Sequence, residues 1–121
     1  IDPAGMAECI VIATGSEVGL ATQAARALNG QGRRVRVVSM PSTQVFEAQD
    51  AAYRERVLPA AVTRRLVVEA GVTALWRAYA GPHGAVLGID SFGASGKAPD
   101  LFRKFGITAE HVTRGILALV T

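Results

Sequence analysis

Glu8-Cys-Ile-Val-Ile-Ala-Thr14, followed by Gly15-Ser16-Glu17-Val18, is the stretch that decides the fold. Five apolar residues run without a polar interruption, and two of them, Ile10 and Ile12, flank the β-branched Val11. The run is too short for a buried helix and shows no alternation, so it reads as a strand covered on both faces, as strands of parallel sheets are. Gly15-Ser16 breaks it. Ser16 is a candidate N-cap, and Glu17 and Val18 open a helix on which Val18, Ala21, Ala25 and Leu28 recur at helical spacing until Asn29-Gly30-Gln31-Gly32 ends it.

The same alternation continues outward. Arg34-Val-Arg-Val-Val-Ser-Met40 reads as a second strand and Pro41-Ser42-Thr43 as a turn. Residues 44–57 read as one helix, with Ala48, Ala52 and Val57 among its inward residues, and Pro59 stops it. Arg65-Leu-Val-Val-Glu69 is a third strand, 73–80 a short helix carrying Leu75, Trp76 and Tyr79, and Ala85-Val-Leu-Gly-Ile-Asp90 a fourth strand. Helices follow over 98–105 and 109–120, the last capped by Thr108 with Glu110 in its first turn. Strand and helix alternating at this spacing specify right-handed βαβ units, hence an α/β chain with helices on both faces of a mostly parallel sheet.

The 121 residues, 50% hydrophobic and 19% charged, make one domain spanning 1–121, with no internal repeat. No apolar run is long enough to cross a bilayer, the start lacks the pattern of a secretory leader, and the single cysteine, Cys9, has no disulfide partner within the chain. The expectation is a cytoplasmic protein with no membrane partner. Ile1-Asp2-Pro3-Ala4-Gly5 reads as the tail of an earlier element, so the sequence is read as a piece of a longer chain. Net charge is only +3. Arg33, Arg34 and Arg36 cluster, as do Arg64 and Arg65, but no aromatic residues interleave to stack bases; they read as solvated strand entrances, and no nucleic-acid partner is expected.

Ligands of open parallel sheets sit beyond the carboxyl ends of the strands. Here those ends offer Gly15, Ser16, Ser42, Glu69 and Asp90 as candidates for a small anion or metabolite. Gly15-Ser16 before a helix can meet an anion with free N–H groups, or Ser16 can simply cap the helix. Glu69 and Asp90 close consecutive strands but no histidine or further acid joins them at a metal-ligand spacing. Gly93-Ala-Ser-Gly-Lys97 is two residues short of a phosphate loop between its glycines and has Ala98 where that loop needs Ser or Thr. His83 and His111 stand alone, without a nucleophile beside them in the sequence. Cys9 reads as an inert core residue. No catalytic, metal or cofactor site is assigned.

Seven short motifs occur in order: Ile12-Ala-Thr-Gly-Ser-Glu-Val18, Val37-Val-Ser-Met-Pro-Ser-Thr43, Phe46 followed by Gln49-Asp-Ala-Ala-Tyr-Arg54, Val57-Leu-Pro59, Val68-Glu-Ala-Gly71, Trp76 with Tyr79, and Phe92-Gly-Ala-Ser-Gly-Lys-Ala-Pro99. Together they resemble the C-terminal domain of transketolases over nearly the whole chain. The resemblance implies a three-layer αβα fold with strand order 2-1-3-4, the family's additional antiparallel edge strand being largely missing and the strand over 34–40 left as an open edge. It implies a parent enzyme that moves a two-carbon ketol unit between sugar phosphates with thiamine diphosphate and a Mg or Ca ion. In that family the cofactor, the catalytic histidines and the phosphate-binding arginines belong to the preceding domains and a second subunit. None of those roles falls on a residue of this sequence.

Overall fold

The computed structural model describes residues 6–15, 17–40, 43–69, 77–88 and 108–120. Its first strand, β1 (Cys9–Ala13), is buried along its whole length, with Cys9, Ile10, Val11 and Ile12 at 0% exposure. The remaining elements are α1 (Glu17–Asn29), β2 (Val35–Ser39), α2 (Thr43–Glu47), α3 (Ala51–Val57), β3 (Arg65–Glu69), α4 (Arg77–Ala80), β4 (Ala85–Gly88) and α5 (Ala109–Val120). The strands form one sheet in the order β2-β1-β3-β4 with parallel pairings throughout, as expected.

Because side chains alternate along a strand, β1 feeds two separate cores. Cys9, Val11 and Ala13 meet Ala21, Ala25 and Leu28 of α1, Val112 and Ile116 of α5, and Leu66 and Val68 of β3. Ile10 and Ile12 meet Met40, Leu58, Val62, Val67 and Ala80 on the other face, with Phe46, Val57 and Tyr79 half-buried against them. The three layers are therefore α1 and α5, then the sheet, then α2, α3 and α4.

The expected helix over 44–57 is two helices. Asp50 adopts extended backbone and its Oδ1 accepts from the backbone N–H of Tyr53 at 2.7 Å, so it restarts the chain as the N-cap of α3. The break leaves Ala48 and Ala52 exposed rather than inward, and neither α2 nor α3 buries a residue. The strands read over 8–14 and 34–40 are each one residue shorter at both ends. β3 and α5 have the expected ends, and the carbonyl of Thr108 accepts the first helical bond, from Val112. The helix read over 98–105, and the starts and ends of elements read over 73–76 and 89–90, lie outside the described residues.

β2 is an edge of the sheet among the described residues. One part of that edge is guarded. Asn29, the last residue of α1, accepts from the N–H of Val35 at 2.8 Å and donates to its carbonyl at 3.1 Å, pairing it as a neighbouring strand would. Near the far edge, the turn before β4 is tight. A Cβ on Gly84 would run into the backbone carbonyl oxygens of Ala80 and Arg65.

Two substitutions test this packing. Gly84→Ala is expected to cost about 2 kcal/mol or more in denaturant unfolding, since backbone rather than a flexible side chain must yield. Asn29→Ala is expected to cost about 1–3 kcal/mol, because it strips two partners from a part-buried peptide unit.

Candidate functional site

The sheet reverses direction at β1. The chain leaves β1 through α1 to β2 on one side, then crosses back through α2 and α3 to β3 on the other. The crevice between the carboxyl ends of β1 and β3 is thus where an open α/β sheet offers a ligand site. Of the five residues expected there, Gly15 is described in full and Glu69 by its backbone, which lies in register with Gly88. Ser16, Ser42 and Asp90 lie outside the described residues.

Gly15 takes φ +59°, a conformation that favours glycine and turns the chain sharply out of β1 into α1. The N–H of Glu17 then bonds to the carbonyl of Thr14 at 3.2 Å and that of Val18 to the carbonyl of Gly15 at 3.3 Å. Two donors at the start of α1 are therefore already engaged. From the β2 side, Met40 is buried and its N–H bonds to the carbonyl of Ala13 at 2.8 Å.

Glu17 was read from the sequence only as a helix opener, yet it is 4% exposed, the one buried charged residue among those described. Its Oε2 lies 3.7 Å from where a Cβ on Gly15 would stand, so the side chain folds back over the turn. An acidic group at the first turn is favoured by the helix dipole. The signal available in the sequence was its place directly after a Gly-Ser turn at the end of a buried strand.

The arginine clusters are largely structural. Arg33 pairs with Glu8 at 3.4 Å, and Glu8 also accepts from the N–H of Arg34. Arg36 donates to the carbonyls of Arg56 and Val57. Arg65 spreads its guanidinium over four carbonyls, those of Val62, Tyr79, Leu58 and Pro59, and ties the end of α3 to α4. Burial lowers the pKa of Arg65, and the nearby Glu55 carboxylate works against that shift.

A second polar grouping lies between α2, α3 and α4, along a cleft of about 270 Å³. The Tyr79 hydroxyl donates to Glu47 Oε1 at 2.7 Å, Arg54 pairs with the other oxygen of Glu47 at 3.4 Å, and Phe46 meets the Tyr79 ring edge-on at 6.2 Å. Glu55 is engaged by the N–H of Ala60. These contacts fasten helices to one another. Cys9 is also inert: burial above all, then the Glu8 carboxylate, pushes its thiol up to about 12, with Arg64 opposing. Among the described residues no group of three His, Cys, Asp or Glu side chains is placed to hold a metal, and no helix is long and apolar enough to cross a membrane.

Residues 2–108 match the model of the transketolase-like C-terminal domain. The chain belongs to the transketolase family. It is 55% identical over 113 residues to transketolase 1 of Vibrio cholerae, a match covering 93% of this chain and 17% of that protein. A probable transketolase of Streptococcus pneumoniae is 55% identical over 107 residues, 88% of this chain and 16% of its own. The solved transketolase of Leishmania mexicana superposes with a TM-score of 0.87 at 44% identity, over 98% of this chain and 17% of its own. The chain thus spans about one sixth of the length of these relatives. Among the described motif residues, Met40 and Val68 are core and Asp50 is a helix cap, whereas Tyr53 is 40% exposed.

The Tyr79–Glu47 contact has a pH signature. Burial first, then the hydrogen bond and charge of Glu47, hold the Tyr79 phenol up to about 12, above the ordinary tyrosine value. Its contribution to stability is complete below the unfolded pKa of about 10 and is lost as pH rises through the folded value. Absorbance titration of the phenolate is expected to show one late-titrating tyrosine, and Glu47→Gln to move that step to lower pH. An unmoved step would remove Glu47 as a cause.

Proposed function

We propose that this chain is the C-terminal, non-catalytic domain of a longer cytoplasmic transketolase, where it supports packing against the preceding domains and against a second subunit. The parent would transfer a two-carbon ketol unit from a ketose phosphate to an aldose phosphate. Thiamine diphosphate, with Mg or Ca, supplies the carbanion chemistry of that reaction when bound.

The carrying observation is the pairing of a family match across residues 2–108 with a chain that spans only 17% of its Vibrio relative. The described side chains favour the same reading. Glu8, Glu47 and Glu55 are committed to Arg33, to Tyr79 and Arg54, and to the N–H of Ala60. These carboxylates are spent on contacts within the chain, which supports placing the cofactor elsewhere in the parent.

Two alternatives are the equivalent domain of another thiamine-dependent enzyme, against which the family match weighs, and a small anion or metabolite held at Gly15, Ser16, Ser42, Glu69 and Asp90. The engaged N–H groups of Glu17 and Val18 and the buried acidic side chain of Glu17 weigh against it at the Gly15 end.

Assaying ketol transfer from a ketose phosphate to an aldose phosphate tests the proposal. The parent is expected to be active and the 121-residue chain silent. A parent lacking residues 2–108 is expected to sediment with a weakened dimer. Ketol transfer by the 121-residue chain alone, or a truncated parent whose assembly is unchanged, would overturn it.

A further inference from the structure

One polar atom escapes the pattern of internal pairing. Among the described residues, Arg54 Nε is the single buried side-chain nitrogen or oxygen without a hydrogen-bond partner. A buried donor left without an acceptor is costly, so an orphan of this kind points to a group that binds beside it. Arg54 is also held loosely at its other end. Its Nη1 reaches Glu47 at 3.4 Å, longer than the roughly 2.7–2.9 Å of a full charge-assisted bond.

Arg54 lines the cleft between α2, α3 and α4, whose volume of about 270 Å³ lies below the roughly 300 Å³ at which sites for drug-sized ligands begin. The space suits a smaller molecule. Its charged lining is Glu47, Arg54, Glu55 and Arg65, two carboxylates and two guanidiniums, so a lone anion or a lone cation meets repulsion as well as attraction there. Arg65 is committed to its four carbonyls, and Glu47 to Tyr79 and Arg54. Two groups keep capacity. One is the Nε edge of Arg54, the kind of edge that a carboxylate takes through two parallel bonds. The other is Glu55, whose oxygens share the one N–H of Ala60 at 3.2 and 3.0 Å and retain further lone pairs. Phe46, Ala51, Leu58 and Ala78 supply an apolar remainder.

We propose that this cleft binds a free α-amino acid, its carboxylate on the Nε edge of Arg54, its ammonium at Glu55 and an apolar side chain against Phe46 and Leu58. A donor edge, a spare carboxylate and an apolar wall within one small space fit a zwitterion with an apolar tail, and fit neither a phosphate nor a metal ion. The site goes beyond the C-terminal reading and does not rest on it, because every residue it uses lies in this chain.

Calorimetric titration of L-leucine into the native full-length protein tests this. Saturable binding is expected. Isocaproate, which lacks the ammonium, and isoamylamine, which lacks the carboxylate, are each expected to bind at least about tenfold more weakly. Arg54→Lys keeps a cation for Glu47 but removes the Nε edge, and Glu55→Gln keeps an acceptor for Ala60 but removes the charge. Both are expected to weaken L-leucine by a similar factor, while Glu110→Gln on α5 leaves it unchanged. The two leucine analogues need no substitution, so they decide the matter even if a variant fails to fold. Absence of saturable L-leucine binding would overturn the proposal. So would either analogue binding as tightly as L-leucine, inorganic phosphate binding where L-leucine does not, or binding by folded Arg54→Lys equal to that of the unaltered protein.

Discussion

Burial of β1 on both faces is the constraint from which the rest follows. Cys9 to Ala13 are at most 1% exposed, and the strand is hydrogen-bonded to β2 on one edge and β3 on the other. Each large apolar side chain withdrawn from water contributes about 1.5–3 kcal/mol. A strand in this position has no surface of its own, so it can carry no chemistry along its length. Whatever polar function the sheet has must lie beyond its ends. At the carboxyl end of β1 the structure places a left-handed glycine and the buried acidic side chain of Glu17. Two of the N–H donors at that end, those of Glu17 and Val18, are already bonded to the carbonyls of Thr14 and Gly15.

The same constraint explains the asymmetry of the layers. The face served by Cys9, Val11 and Ala13 is closed by long helices, and Gly115 lets α5 come down onto Leu66, where a Cβ would stand 3.0 Å from Cδ2. Among the described residues, the opposite face is covered by α2, α3 and α4, held by polar fasteners such as Arg65 over its carbonyls and Tyr79 on Glu47. Hydrogen bonds of this kind fix where helices lie, but contribute less than a filled apolar layer.

Much of this was legible in the sequence, for physical reasons. The apolar run at 9–13 could be read because a doubly buried parallel strand admits no polar residue, and β3 and α5 ended where charge and capping residues said they would. The division of 44–57 was harder. Its helical composition is continuous, and the single Asp50–Tyr53 cap that interrupts it competes with propensity at one residue only. The edge guard of Asn29 was read merely as a helix end, because its partner, Val35, is chosen by tertiary placement. The role of Glu17 was hidden for the same reason: a glutamate in a first turn looks identical whether it faces water or folds inward.

The central claim is that these residues form a scaffold whose polar groups are spent on its own structure, the cofactor chemistry lying elsewhere in the parent. Calorimetric titration of thiamine diphosphate with magnesium into the 121-residue chain tests it most directly. The account predicts no binding tighter than about millimolar, roughly −4 kcal/mol. Saturable micromolar binding of that cofactor by this chain alone would contradict it.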